Sequence, residues 1–213
     1  MVKRQLLKKR LDLFHRKRNR LLHKEDISRS SDYSSVAGID EAGRGPLAGP
    51  VVASAVVLKR YDFSVRIDDS KKLNPSERER AYKEIFDRAI IGVGIVSEAV
   101  VDDINIYQAT MLAMERSVLN LSQQPDLLLI DGNMQLRFDI KQCTIVSGDQ
   151  KSLSIACASI IAKVTRDRLL QFYDCLFPGY GFYRHKGYGT KEHIIAITKK
   201  GFSPIHRRSF WVK

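Results

Sequence analysis

Four consecutive large aliphatic residues, Leu127-Leu128-Leu129-Ile130, run without a polar interruption into Asp131 and Gly132. A segment this short and this uniformly apolar, 126–131, reads as a strand buried on both faces, the habit of sheets covered by helices on each side. The rest of the chain supplies the other pieces of such a layered structure. Residues 36–40 and 51–58 read as strands separated by a loop rich in Gly and Pro, and 90–97 as a third. Between the second and third lies a helix with Asn74 as cap, Pro75 in the first turn and Glu77 at the capping-box position, running to about residue 88. Residues 105–122 place Met111, Met114, Val118 and Leu121 on one helical face. Residues 143–147 read as a fifth strand, and 152–177 as a long helix lined by Ala156, Ala158, Ser159 and Ala162 that stops at Pro178-Gly179. The expectation is an α/β fold with a mixed five-stranded sheet flanked by helices.

With 213 residues, 44% of them apolar, the chain can bury one good core and is short for two. No stretch approaches the ~20 consecutive apolar residues that span a bilayer, so a soluble protein without a membrane role is expected. Charge begins at Lys3, and the segment lacks the apolar centre of a secretory signal. Cys143, Cys157 and Cys175 form no C-x-x-C pair and fit a reducing, cytoplasmic compartment as small core residues.

The formal net charge is +12, which favours a polyanionic partner. Residues 1–35 hold eleven basic and four acidic side chains, net +7, leaving +5 for the rest. Within them, Leu7, Leu11, Phe14 and Leu21 recur at helical spacing over 4–24, with Leu6, Leu13 and Leu22 alongside, and a Ser- and Asp-rich linker follows from 27 to 35. The division expected is a basic helical extension over 1–35 and a catalytic domain over 36–213. The extension reads equally well as a segment docked on the core and as an arm that follows phosphates.

Two segments share one local design, since Ala37-Gly38-Ile39-Asp40-Glu41 and Leu128-Leu129-Ile130-Asp131 each end an apolar strand in acid. If these strands are parallel neighbours, their acids meet at the carboxyl edge, where α/β sheets place ligands. Asp149, in the turn Ser147-Gly148-Asp149, could reach the same edge. Four clustered carboxylates are unfavourable unless a cation neutralises them, and Mg²⁺ prefers oxygen ligands shared with substrate phosphate. Two such ions ~3.5–4 Å apart can clamp the attacking and leaving oxygens of a displacement at phosphorus. Taken singly, an acid at a strand end is more often a turn or cap residue.

Directly after Asp40-Glu41 comes Gly43-Arg44-Gly45-Pro46-Leu47-Ala48-Gly49. Its G-x-G-x-x-x-G spacing leads into a strand, so it is not a dinucleotide fingerprint. Its glycines would let backbone amides approach a sugar-phosphate, although a tight loop without ligand has the same composition.

The run 37–52 resembles the opening motif of the ribonuclease HII family. Similarity continues, in the family's order, through Asp69-Ser70-Lys71-Lys72-Leu73, Ile130-Asp131-Gly132, Gly148-Asp149, the stretch 158–167, His185-Lys186-Gly187-Tyr188-Gly189-Thr190 and His206-Arg207-Arg208-Ser209-Phe210. It covers about residues 36–210. The resemblance implies a ribonuclease H-like core, a catalytic and metal-binding tetrad at Asp40, Glu41, Asp131 and Asp149, and Mg²⁺ or Mn²⁺ in a two-metal site. It implies RNA–DNA hybrids and ribonucleotide-containing duplex DNA as substrates, cut 5′ of the ribonucleotide to leave 3′-hydroxyl and 5′-phosphate ends, as in ribonucleotide excision repair. It further implies that Gly43, Arg44 and Gly45 read the ribose 2′-hydroxyl, the group that distinguishes RNA from DNA. Tyr188 would stack on the sugar of the following deoxynucleotide, and Lys71, Lys72, Ser159, Lys163 and Arg166 would complete the substrate contacts. Without the resemblance, Tyr188 reads as a half-buried packing residue and the cations as solvated charges. His185 and His193 could line the cleft and receive no catalytic role. Phe210 and Trp211 read as a terminal contact or as packing. The related ribonuclease HIII carries a longer N-terminal domain than 35 residues can form, and a monomeric type 2 enzyme is expected. The competing class is a non-catalytic binder of hybrids or ribosomal RNA, motivated by the charge alone.

Overall fold

The computed structural model describes residues 13, 15–19, 22, 26 and 32–210. Five strands, β1 (Val36–Ala42), β2 (Val51–Leu58), β3 (Ala89–Val96), β4 (Leu127–Asp131) and β5 (Lys141–Ile145), form one sheet in the order β3-β2-β1-β4-β5. The β1-β2 and β2-β3 pairs are antiparallel, and β1-β4 and β4-β5 are parallel, so the mixed sheet read from sequence is present. Among the described residues no helix is long and apolar enough to cross a membrane.

Alternation along the strands assigns each side chain to one of two layers. Ala37, Ile39, Leu128 and Ile130 pack with Met111, Met114 and Val118 of α2 (Glu98–Leu119). Val56 and Leu58 face Ala156, Cys157, Ile160 and Ile161 of α3 (Leu153–Leu176), together with Ala81 and Ile85 of α1 (Pro75–Phe86). Leu127 and Leu129 meet Ile155 of α3. All four residues of the Leu-Leu-Leu-Ile run are at most 2% exposed, as expected of a strand with helices on both sides.

The capping box of α1 is formed, Asn74 Oδ1 accepting from the Glu77 amide at 2.9 Å and Glu77 Oε2 from the Asn74 amide at 2.8 Å. The helix expected from residue 105 begins earlier, at Glu98, and is broken at Asn105, whose φ of 66° is non-helical. Asn105 Oδ1 accepts from the Tyr107 and Gln108 amides, so the second half has its own cap. Two short helices not anticipated, α4 (Phe182–His185) and α5 (Lys191–Lys200), close the C-terminal side.

α3 lies directly on β1 because of Gly38. A Cβ there would fall 2.2 Å from the Ser154 carbonyl carbon, so only glycine admits the helix at this distance. Of the N-terminal extension, the described positions 13, 15–19, 22 and 26 are helical. Leu22 is buried against the α1/α3 layer, Asn19 bonds the Val65 carbonyl and the Ile67 amide, and Asp26 accepts from the Ser154 amide at 3.0 Å. Leu6, Leu7, Leu11, Phe14, Leu21 and Trp211 lie outside the described residues.

Candidate active site

The parallel register pairs Ile39 with Ile130, so the next residues, Asp40 and Asp131, stand side by side at the carboxyl ends of neighbouring strands. Both belong to the α3 side by alternation, the side of Gly38 and Leu129. Asp149 arrives in the 3-10 turn Gly148–Gln150 between β5 and α3, and the Gly148 amide donates to Asp131 Oδ1 at 2.6 Å. Glu41, one residue beyond Asp40, is held by Arg44 with Nη1 to Oε1 at 3.5 Å.

These four acids line a single cleft of about 480 Å³ together with Ala42, Gly43, Arg44, Gly45, Ser70, Lys71, Ser159, Lys163, Arg166 and Tyr188. Burial, then Glu41 and Asp131, push the Asp40 carboxyl well above its ordinary range, against a hydrogen bond from Ser159. Burial raises Glu41 too, with Arg44 opposing and Asp131 adding. Asp149 is pushed up to about 6 by burial and by its neighbours Asp69 and Asp131. Lys71 faces this group and offsets part of the repulsion at Glu41 and Asp149. Among the described residues, no three His, Cys, Asp or Glu side chains close into a ready-made metal cage. The carboxylates instead border an open cleft and repel one another, an all-oxygen donor set that suits a hard divalent cation keeping water or phosphate as its remaining ligands.

The opposite wall is a loop held from behind. Arg207, 1% exposed, donates to the carbonyls of Gly43, Arg44 and Gly49 at 2.6–3.0 Å. In a trans peptide the N–H points opposite the C=O. The Arg44 and Gly45 amides are therefore directed away from that guanidinium. Gly43, at φ 100°, leaves no room for a side chain, since a Cβ would lie 2.2 Å from Arg166 Nε.

Two expected phosphate contacts sit differently. Arg166 is 1% exposed, and its guanidinium donates to the carbonyls of Pro50, Ala48 and Lys186 at 2.9 Å each. It lines the cleft wall with each of its three nitrogens already donating to a carbonyl. Lys72 lies outside the cleft lining, its Nζ donating to Gln150 Oε1 at 2.7 Å. Lys163 lines the cleft while paired with Asp167 at 2.7 Å, and Tyr188 stands 46% exposed beside Gly45. Sequence reasoning assigned nothing to Ser70, Asp69, Arg207 or Glu98. Glu98 is a buried carboxylate that faces both buried arginines, and burial lowers those two guanidinium groups to about 10, still charged at neutral pH. For Asp69, Ser70 and Arg207 the available signal was their place inside the family-like motifs, whereas Glu98 lies outside all of them.

The ribonuclease HII family model matches residues 37–213, which takes in every element of this cleft. The chain belongs to the ribonuclease HII family. It is thus a metal-dependent nuclease, of a family that cleaves RNA in RNA–DNA hybrids. The ribonuclease HII of Acetivibrio thermocellus is 57% identical over 179 residues, 84% of this chain and 70% of that protein. That of Syntrophus aciditrophicus is 52% identical over 192 residues, covering 90% and 91%. The crystal structure of ribonuclease H2 from Pyrococcus horikoshii OT3 is similar with a TM-score of 0.71 at 26% identity, covering 84% of this chain and 94% of that one.

Proposed function

We propose that this chain cuts the RNA strand of RNA–DNA hybrids and nicks duplex DNA on the 5′ side of an embedded ribonucleotide, leaving 3′-hydroxyl and 5′-phosphate ends. One observation carries the reading: four carboxylates and the Gly43-Arg44-Gly45 loop converge on the same cleft. Asp40, Glu41, Asp131 and Asp149 would hold Mg²⁺ or Mn²⁺ in a two-metal site. When bound, such ions neutralise the carboxylates and the phosphate and lower the pKa of water, which supplies the nucleophile without a protein side chain.

The chain's own groups do the rest. Ser159 steadies Asp40 by a hydrogen bond, and Lys71 places a cation beside Glu41 and Asp149 where a phosphate would approach. The outward amides of Arg44 and Gly45 offer donors to a ribose 2′-hydroxyl, which a deoxyribose lacks. Tyr188, exposed beside Gly45, offers a ring to the sugar of the next nucleotide and so favours an RNA-to-DNA junction. Lys163 adds a backbone contact. All of these groups come from one chain, so a monomer suffices, with 36–213 as the catalytic domain and 1–35 as a basic extension whose described residues Asn19, Leu22 and Asp26 contact it.

The test is a cleavage map on a DNA duplex carrying one ribonucleotide, with Mg²⁺, with Mn²⁺ and with chelator. A single metal-dependent nick 5′ of the ribonucleotide, lost in Asp40→Asn while the duplex is still bound, is expected. Binding without any cleavage in either metal would replace this reading with that of a hybrid-binding protein.

A further inference from the structure

Three buried histidines that the reaction does not use stand directly behind Tyr188. His206 Nδ1 accepts from the Ser203 amide at 2.8 Å. A backbone N–H can only donate, so the neutral His206 ring carries its proton on Nε2. That nitrogen is 3.0 Å from His193 Nε2, which must therefore accept. The His193 proton is then on Nδ1, which lies 2.9 Å from the Tyr188 carbonyl. His185 stacks on His193 with ring centroids 4.3 Å apart, accepts from the Gly187 amide on Nδ1 and meets the Tyr180 carbonyl with Nε2. Every ring nitrogen in the group has one role, and the directions agree from Ser203 to Tyr188.

The turn they hold is not a relaxed one. Lys186 and Gly187 are both left-handed, at φ 54° and 82°, which is costly for a lysine. The same turn is tied to the glycine loop, the Leu47 amide donating to the Gly187 carbonyl at 2.8 Å, and Arg166 bonds the Lys186 carbonyl. His206 itself bridges to Ala48 of that loop.

We propose that His193, oriented by His206, is a positioning residue that fixes the Tyr188 turn against the Gly43-Arg44-Gly45 loop, and thereby sets the preference for an RNA-to-DNA junction. The inference rests on the reading of Tyr188 given above. Burial and the neighbouring rings keep His193 and His206 neutral at working pH, His206 being lowered to about 4 by burial first and His193 second.

The readout is the ratio of kcat/KM on a single-ribonucleotide duplex to kcat/KM on a uniform hybrid. His193→Leu removes the donor and keeps most of the volume, and should lower this ratio about fivefold, the weight of one neutral hydrogen bond. His193→Asn places an amide N–H near the position of Nδ1 and should restore it. Tyr188→Ala should lower the ratio at least as far. A ratio unchanged in Tyr188→Ala overturns the reading of Tyr188 and this inference with it. A ratio lowered in Tyr188→Ala but unchanged in His193→Leu overturns the positioning role alone. Should His193→Leu not fold, long-range ¹H–¹⁵N spectra of the unaltered protein decide: a proton on Nδ1 of His193 and on Nε2 of His206 is required, and the reverse tautomers refute the relay.

Discussion

The two walls of the cleft are stabilised in opposite ways. On one, Asp40, Glu41, Asp131 and Asp149 are forced together by strand register and by the turn before α3, and their charges oppose the arrangement. On the other, the glycine loop and the Tyr188 turn are saturated with hydrogen bonds from Arg166, Arg207 and His193. The reacting wall is therefore incomplete without a cation, whereas the recognising wall is finished before any ligand arrives. Under the proposed function, chemistry would wait for metal, whereas discrimination between ribose and deoxyribose would need donors already fixed in place.

The largest effect separating the walls should come from Asp131→Asn, which keeps the acceptor for the Gly148 amide and removes the charge. Cleavage is expected to fall by on the order of 10³-fold or more under saturating Mg²⁺. In chelator the same variant should melt no lower than the parent, because Asp40, Glu41 and Asp149 lose a repelling neighbour. A lower melting temperature would show that Asp131 is a structural residue first. Arg207→Met tests the other wall. It leaves the Gly43, Arg44 and Gly49 carbonyls without their buried donor, at a cost of about 3 kcal/mol or more and a Tm drop on the order of 10 °C. Selection of ribose over deoxyribose should weaken with it. Full selectivity would mean that the loop holds its shape alone.

The smallest effect is a pH dependence. Asp149 has a native pKa of about 6, above the 3.8 of an unfolded aspartate. Between roughly pH 4 and 6 the native state thus binds more protons than the unfolded one, and stability falls as pH rises through that window. Chelated protein should lose a few degrees of Tm there, about 2–4 °C per kcal/mol for a chain this long. Asp149→Asn should flatten the loss and Mg²⁺ should reverse it. A flat parent curve, measured by thermal unfolding in chelator, would remove the charge conflict from the comparison.

Much of this was legible in the sequence because it follows from alternation and short-range rules. The Leu127–Ile130 run, the Asn74–Glu77 box and the acids at the ends of β1 and β4 each need only local chemistry to be placed. The rest depends on tertiary partners. Asn105 breaks α2 through its own backbone conformation, which no periodicity reveals. Arg166 reads as a phosphate contact or a solvated cation and Arg207 carries no reading in a chain of +12, and only the carbonyls converging on them show that they are buried clasps. His193 and His206 are thirteen residues apart, His193 alone reads as a cleft-lining or structural histidine, and nothing in the sequence joins it to His206. α5 was missed although Thr190 caps it and Ile197 is buried, its apolar face being too narrow to stand out.

The pairing of Ile39 with Ile130 reaches further than the placement of two acids. A slip of one residue that moved Asp40 into the place of Ile39 would turn its carboxylate into the apolar layer beside α2 and press Ile39 onto α3, where only Gly38 fits. Catalytic alignment and the identity of the core are thus decided in the same event during folding. A misaligned pairing would disturb the core and the cleft together, which sets it at a disadvantage against the native register.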